Sequence, residues 1–287
     1  MRISGFTIVR NAIELDFPVL ESIKSILPIC DEVVVNVGRS TDATLDLVRS
    51  LDDPRIRVLE TEWDFARGES VLRDETARAM RACAHPWGLY IQADEVLHER
   101  GAPRLAETIR SAADDPRVEG VVVRYRHLFG DPDTEAVNRR WYRREVRAVR
   151  LDPAADIRPY RDAQGFRQGP GHRRVRARLA DAEMFHYGWT RSGAALRGRA
   201  VIDRSLYPDR PEYEFDRAVL RWFPGLRPFR GTHPAVAADW VERHRHDPIR
   251  RVTEPFFEWE HLRFHASDVV ERLTGRRFFE FRNYELV

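Results

Sequence analysis

The first 130 residues alternate β-prone runs with amphipathic helical stretches, and this alternation restricts the fold more than any other feature. Ile3–Val9 (ISGFTIV) reads as a strand that ends in the polar pair Arg10-Asn11. Pro18 opens a helix with Val19, Ile23, Ile26 and Leu27 on one face, and Pro28 stops it. Residues 32–37 (EVVVNV) form the second expected strand, followed by Gly38-Arg39-Ser40 and a helix beginning at Thr41-Asp42. Residues 55–59 are the third strand, 69–84 a helix, 87–92 the fourth strand, 101–112 a helix and 120–125 the fifth strand. Strands separated by helix-length connections predict an α/β class: a mostly parallel sheet with helices on both faces.

After residue 130 the pattern changes. Gly130-Asp131-Pro132-Asp133 reads as a turn, 140–151 as an arginine-rich strand, 152–183 as irregular and 189–206 as helical. Pro208, Pro211, Pro224, Pro228 and Pro234 follow, then a short helix near 234–245 and a mixed helical and aromatic tail (FFEWEHLRFHASDVVERLTGRRFFEFRN). No repeat or low-complexity linker divides the chain. Residues 131–287 therefore read as an added part of the same unit as 1–130.

Composition excludes several classes. The 287 residues are 43% hydrophobic, enough for a sizeable core, yet no apolar run approaches the length of a membrane span. The N-terminal residues lack the apolar run of a signal peptide, so a cytoplasmic location is expected. The two cysteines, Cys30 and Cys83, match neither a disulfide framework nor a zinc pattern and read as small core residues. All but one of the 48 Lys and Arg residues are arginine, Lys24 being the exception. The 46 acidic residues leave a net charge of only +2, which argues against a broad nucleic-acid surface.

The chemistry concentrates at strand ends. Leu89-Tyr90-Ile91-Gln92-Ala93-Asp94-Glu95 carries an apolar strand into two adjacent carboxylates. Open α/β sheets bind ligands at that end, and hard cations require oxygen ligands there. A strand followed by a solvated acidic turn is the plainer alternative. In Val37-Gly38-Arg39-Ser40-Thr41-Asp42 the glycine permits a tight turn. Ser40, Thr41 or Asp42 can cap the next helix, or Asp42 can accept hydrogen bonds from a ribose or base.

In their order along the chain, Arg10-Asn11, VNVGRSTDATLDLV and YIQADE resemble the motifs of family-2 glycosyltransferases. The resemblance covers about residues 1–130. Further elements, QADE, DAQGFR and HYGW, are similar to a bacterial subgroup of family-2-like proteins. It implies a GT-A type three-layer sandwich with a mostly parallel central sheet and an added C-terminal α-rich lobe. It implies donor binding by residues 1–130, through Val9, Arg10, Asn11, Gly38, Asp42, Gln92, Ala93, Asp94 and Glu95. Arg67 or Arg73 can add to the neutralisation of a departing diphosphate, or simply lie on a solvated helix face. It also implies an inverting transfer from a nucleotide diphosphate sugar, with Mg²⁺ or Mn²⁺ held by Asp94 and, through a later histidine, His186. Three departures stand out: Asn36 and Val37 replace two aspartates, Arg39 is inserted, and Gln92 replaces the first aspartate of the DXD-type motif. The base recognised need not then be uracil.

Other candidates come from the second half. His186, in Met184-Phe185-His186-Tyr187-Gly188-Trp189, is either a metal ligand or a packed core histidine; it is expected between a short strand and a helix. Gly188 permits close approach, and Trp189 can stack on an acceptor sugar or fill the core. An inverting transferase needs a carboxylate base, for which Asp162 is the first candidate and Asp156 the second; either can instead simply form a turn. His233, before Pro234, can reach the acceptor or serve only in capping and packing. His244-Arg245-His246-Asp247 resembles a metal cluster in composition alone, because adjacent helical residues point apart. Expected acceptors are a carbohydrate, a lipid-linked sugar or a small molecule, with no nucleic-acid partner; a homodimer stays open. A nucleotidyltransferase or a non-catalytic nucleotide-sugar-binding protein are the alternatives.

Overall fold

The computed structural model describes residues 1–207, 223–246, 259–275, 277 and 280–287. Pro208, Pro211, Asp247 and the parts of the aromatic tail at 256–258, 276 and 278–279 lie outside the described residues.

Four strands form a parallel core in the order β3-β2-β1-β4: β1 (Ile3–Val9), β2 (Glu32–Gly38), β3 (Ile56–Thr61) and β4 (Trp87–Tyr90). Both faces of β1 and β2 are covered, which is why they read as near-continuous apolar runs. Helices α1 (Val19–Ile26), α2 (Thr44–Arg49) and α4 (Ala102–Ala113) bury Ile23, Val48, Leu105 and Ile109 on one face. Helix α3 (Ser70–Ala82) packs Ala79 on the other, against Phe6 and Tyr90. α4 follows Gly101 at its N-cap and carries Pro103 in its first turn, where a missing N–H costs nothing. Cys30 is buried and Cys83 half-buried, both free; burial pushes the Cys83 thiol up to about 12.

The second half extends this same sheet. β8 (Arg144–Arg150) enters antiparallel between β4 and β6 (Gly120–Phe129), and β6 runs parallel to β11 (Arg173–Trp189). β11 in turn pairs with β5 (Glu95–Leu97), β10 (Gly165–Gln168) and β13 (Tyr284–Leu286), while β9 (Ile157–Tyr160) pairs with β10. β7 (Asp131–Ala136) joins β6 to β12 (Leu226–Pro228). Helices α5 (Gly193–Leu206), α6 (Ala238–Arg245) and α7 (Trp259–Thr274) complete the described elements. Residues after 130 are thus built into the sheet through seven strands, β7 to β13, where an α-rich lobe was expected. No helix among the described residues is long and apolar enough to cross a membrane.

Residues 152–183, expected to be irregular, carry β9, β10 and most of β11. The signal was hidden because the start of β11 alternates arginines with only two small apolar residues, Val175 and Ala177. Val175 and Ala177 point inward, while Arg173 and Arg176 reach Glu119 and Arg178 reaches Asp115. Asp131-Pro132-Asp133, expected as a turn, begins β7 after Gly130 alone turns the chain at φ 79°. Trp189 ends β11, and α5 starts only at Gly193, where the Ser192 hydroxyl accepts from the Ala195 N–H.

Candidate functional site

A cavity of about 750 Å³ opens at the C-terminal ends of β1 and β4. Parallel register aligns Val9 with Val37 and Phe6 with Tyr90, so the segments after these strands emerge at one edge. Of the residues the sequence singled out, Val9, Arg10, Gln92, Ala93, Asp94, Asp162, His186 and Trp189 line this cavity.

The turn at 92–95 is held by its own last residue. The Glu95 carboxylate accepts from the Gln92 N–H, the Glu95 N–H donates to the Gln92 carbonyl, and Ser22 donates to that carbonyl from α1. Glu95 is fully buried and faces away from the cavity. It takes a two-pronged bond from Arg147, 3.0 and 2.7 Å, and a third from the Tyr125 hydroxyl at 2.7 Å. Arg147 is itself fully buried, lies over the rings of Tyr90 and Tyr125, and donates to the Gln164 carbonyl beside Asp162. Glu95 is therefore a positioning residue for Asp94.

His186 reaches the site because β11 pairs it with Glu95 on β5 and with His127 on β6. His127 Nε2 lies 2.7 Å from the Tyr142 carbonyl, which can only accept, so Nε2 carries the proton. Burial holds His127 well below the ordinary histidine range and lowers His186 too, so both rings are neutral. His127 Nδ1 then accepts from His186 Nδ1, 3.3 Å away. That fixes the tautomer: His186 Nε2 presents a lone pair, 3.7 Å from Asp94 Oδ2. A buried partner that orients a ligating imidazole in this way is the usual support of a metal-binding histidine.

The gap between these two acceptors is kept open by Gly188. A Cβ there would sit 2.5 Å from Asp94 Oδ2 and 2.8 Å from His186 Nε2. Two unsaturated acceptors facing each other across a gap shaped by a glycine fit a cation. One oxygen and one nitrogen ligand leave the remaining positions to phosphate oxygens and water, as Mg²⁺ and Mn²⁺ sites do. Among the described residues no cluster of three or more metal-ligating side chains exists, so such a cation would depend on its substrate.

Positive charge surrounds the gap. Arg10, Arg139, Arg140, Arg161, Arg191 and Arg199 line the cavity against Asp94, Asp162 and Asp203. Arg191 is 1% exposed and donates to the Gly188 and Leu15 carbonyls, with no carboxylate at ion-pair distance among the described residues. Burial, reinforced by Arg199, lowers its pKa to about 9. Asp94, Asp16 and Asp203 oppose that shift from beyond ion-pair distance; a buried cation offset only at a distance is costly, and an anion bound in the cavity would relieve it. Aromatic rings supply the remaining wall: Trp141 with Phe223, Trp189 under the Arg199 guanidinium at 4.4 Å, and Phe65 under Arg10 at 4.8 Å. Asp162 sits in the β9–β10 turn, where its carboxylate accepts from the Tyr207 hydroxyl at 2.8 Å.

The structure does not bring the other candidates to the cavity. Asn11, at φ 52°, spends its amide on Glu14 and Thr41, and Asp42 accepts from the N–H groups of Ile13, Glu14 and Thr44 and from the Thr44 hydroxyl. Gly38 is covered by the Trp63 ring. Arg67 and Arg73 both pair with Asp74. His233 packs against Phe229 and bonds the Tyr187 hydroxyl in a separate apolar cluster, and burial lowers its pKa to about 4. Asp156 bonds Arg158 at the start of β9. Asn36 is buried and bonds Glu75 and Thr61, so it cannot reach a ligand. Within the His244–His246 run, His244 bonds Asp16 and stacks on Trp240, whereas His246 bonds Glu242. Sequence reasoning missed Arg191, Arg139, Trp141 and Tyr142. The arginine-rich run read at 140–151 spans Trp141 and Tyr142, but nothing local separates Arg139 or Arg191 from the other arginines.

Beneath the cavity, fully buried Glu145 accepts from Val146 N–H and Asn283, each at 2.8 Å, with Arg147, Arg167 and Glu95 nearby. Burial raises it from 4.5 to about 7, although Arg147 opposes the shift. Between those values the folded chain keeps a proton that the unfolded chain has released. Stability should therefore fall as pH rises through that window and level off above it, by on the order of 3 kcal/mol at most. Urea titrations of wild type and Glu145→Gln from pH 4.5 to 8 should show the variant with a shallower slope. Parallel slopes would refute a proton on Glu145.

The chain matches no family profile and no curated protein. Among solved structures it is similar to Staphylococcus aureus TarS, at 14% identity and a TM-score of 0.44 over 75% of this chain and 42% of that one. It thus spans less than half of that protein. Residues 1–349 of TarS in complex with UDP-GlcNAc give 14% and 0.43 over 75% of this chain and 70% of that chain. A mycobacterial protein gives 19% and 0.31 over 44% of this chain and 41% of that chain.

Proposed function

We propose that this chain is a metal-dependent glycosyltransferase that moves a sugar from a nucleoside diphosphate sugar to an acceptor hydroxyl. The observation that carries the reading is the pair of free acceptors, Asp94 Oδ2 and His186 Nε2, across the gap at Gly188 in an arginine-lined cavity. The order of the Arg10-Asn11, STDAT and QADE motifs supports it. Asp94 and His186 would hold Mg²⁺ or Mn²⁺, which supplies Lewis-acid stabilisation of a departing diphosphate. Arg191 and Arg199 offset the charge that develops there, and the burial of Arg191 strengthens its effect. Asp162 takes the proton of the attacking hydroxyl in an inverting displacement, its carboxylate oriented by Tyr207. Aromatic rings and the Arg10–Phe65 stack offer flat surfaces for base and sugar. A binding-only protein is the second reading, favoured by Gln92 where a second carboxylate would strengthen the cation site.

A panel of nucleoside diphosphate sugars with and without Mn²⁺ tests both. A donor at about 100 times its Kd should add about 2.7 kcal/mol, a shift of several degrees in Tm. The shift should require Mn²⁺ and disappear in Asp94→Ala, and donor hydrolysis or transfer should accompany it. A metal-dependent shift with no turnover on any acceptor would favour the binding-only reading. A shift indifferent to Mn²⁺ and to Asp94 would sink the metal site.

A further inference from the structure

Helix α7 turns a continuous apolar stripe to solvent. Trp259, Leu262, Ala266, Val269, Val270 and Leu273 are all exposed, Trp259 by 82% and Leu273 by 80%. At 100° per residue the six fall within about 100° of arc, the width of a face built to be covered. The opposite side meets the protein. His261 is buried, Phe264 and Asp268 are half-buried, and Glu271 accepts from Arg143 at 3.0 Å and Arg277 at 2.7 Å. The edges of the stripe are basic, with Arg263 on one side and His265 and Arg272 on the other. Among the described side chains of α7, none of the exposed ones is a carboxylate.

We infer that α7 docks this chain flat onto an anionic lipid surface, through its Trp259–Leu273 stripe and flanking basic residues. An interfacial helix combines an apolar face bearing Trp and Leu with basic flanks and too little length or hydropathy to span. Charge decides the occupant. A second copy packed on the same stripe would set arginine and histidine edges against each other, whereas anionic headgroups complement them. The docked helix is tied to the cavity: Arg277, just beyond it, donates to the carbonyls of Val137, Asn138 and Trp141, in the segment that supplies Arg139, Arg140 and Trp141 to the wall. The docking stands independently of what the cavity binds.

The test is co-sedimentation of the full chain, without nucleotide, with phosphatidylcholine vesicles and with vesicles also containing phosphatidylglycerol. The protein should pellet with the anionic vesicles only, and less as salt rises and the Debye length shrinks. Leu262→Ser/Val269→Ser/Leu273→Ser should lower partitioning by about tenfold or more at unchanged Tm; should the triple variant melt early, Leu273→Ser alone takes its place and should still weaken binding. Arg263→Gln/Arg272→Gln should remove most of the salt sensitivity. Equal pelleting with both vesicle types, failure to pellet with either, or serine variants that bind like wild type would overturn the inference. So would a wild-type dimer in sedimentation velocity that the triple variant dissociates, without vesicle binding.

Discussion

Arg147→Met should destabilise the fold by about 3–5 kcal/mol, because it leaves the Glu95 carboxylate buried and unpaired. That is a large share of the roughly 5–15 kcal/mol that holds a domain of ordinary stability. In urea the midpoint should drop sharply with little change in slope. The double variant Glu95→Leu/Arg147→Met removes both charges and fills the space, so much of the stability should return. Function should not return with it. Without the Glu95 carboxylate the Gln92 N–H loses its acceptor and the turn carrying Asp94 loses its anchor. Recovery of stability without recovery of Mn²⁺-dependent donor binding is the expected signature of a positioning residue. Recovery of both would show that the buried pair serves stability alone.

Gly188→Ala should lower the proposed metal-dependent transfer by at least about 100-fold, some 2.7 kcal/mol, while leaving the fold intact. The added methyl falls on Asp94 Oδ2 and His186 Nε2, the two atoms proposed to hold the cation. Gly188 is not among the glycines at positive φ, so the backbone accepts alanine without strain. Asp94→Asn provides the chemical counterpart, keeping size and removing charge. Both variants should lose Mn²⁺ binding by titration with melting temperatures near wild type. Wild-type Mn²⁺ affinity in Gly188→Ala would show that the cation, if any, sits elsewhere.

Much of the frame was readable from the chain. β1 to β4 and α1, α3 and α4 fall where apolar periodicity places them, because each buries a face set by its own local pattern. The arginine-rich strands were not readable. In the first half of β11 the inward residues, Val175, Ala177, Ala180 and Ala182, are small, and the outward arginines bond carboxylates from neighbouring elements that no local window contains. Among the site candidates, Asp94 and His186 were legible as residue types at strand ends. Asn11, Asp42 and Glu95 carry equally suitable chemistry, yet their acceptors are consumed by internal donors. Arg67 and Arg73 are likewise taken up by one aspartate, Asp74.

By itself, then, the sequence determined the α/β alternation, the strand end at which carboxylates emerge and the chemical repertoire available there. Only the tertiary structure decided which groups of that repertoire remain unsaturated. Hydrogen-bond saturation and desolvation depend on partners 30 to more than 100 residues away: Glu95 is satisfied by Arg147, the tautomer of His186 is set by His127, and Arg191 is left as a buried cation. The cavity's chemistry is what those long-range pairings leave over.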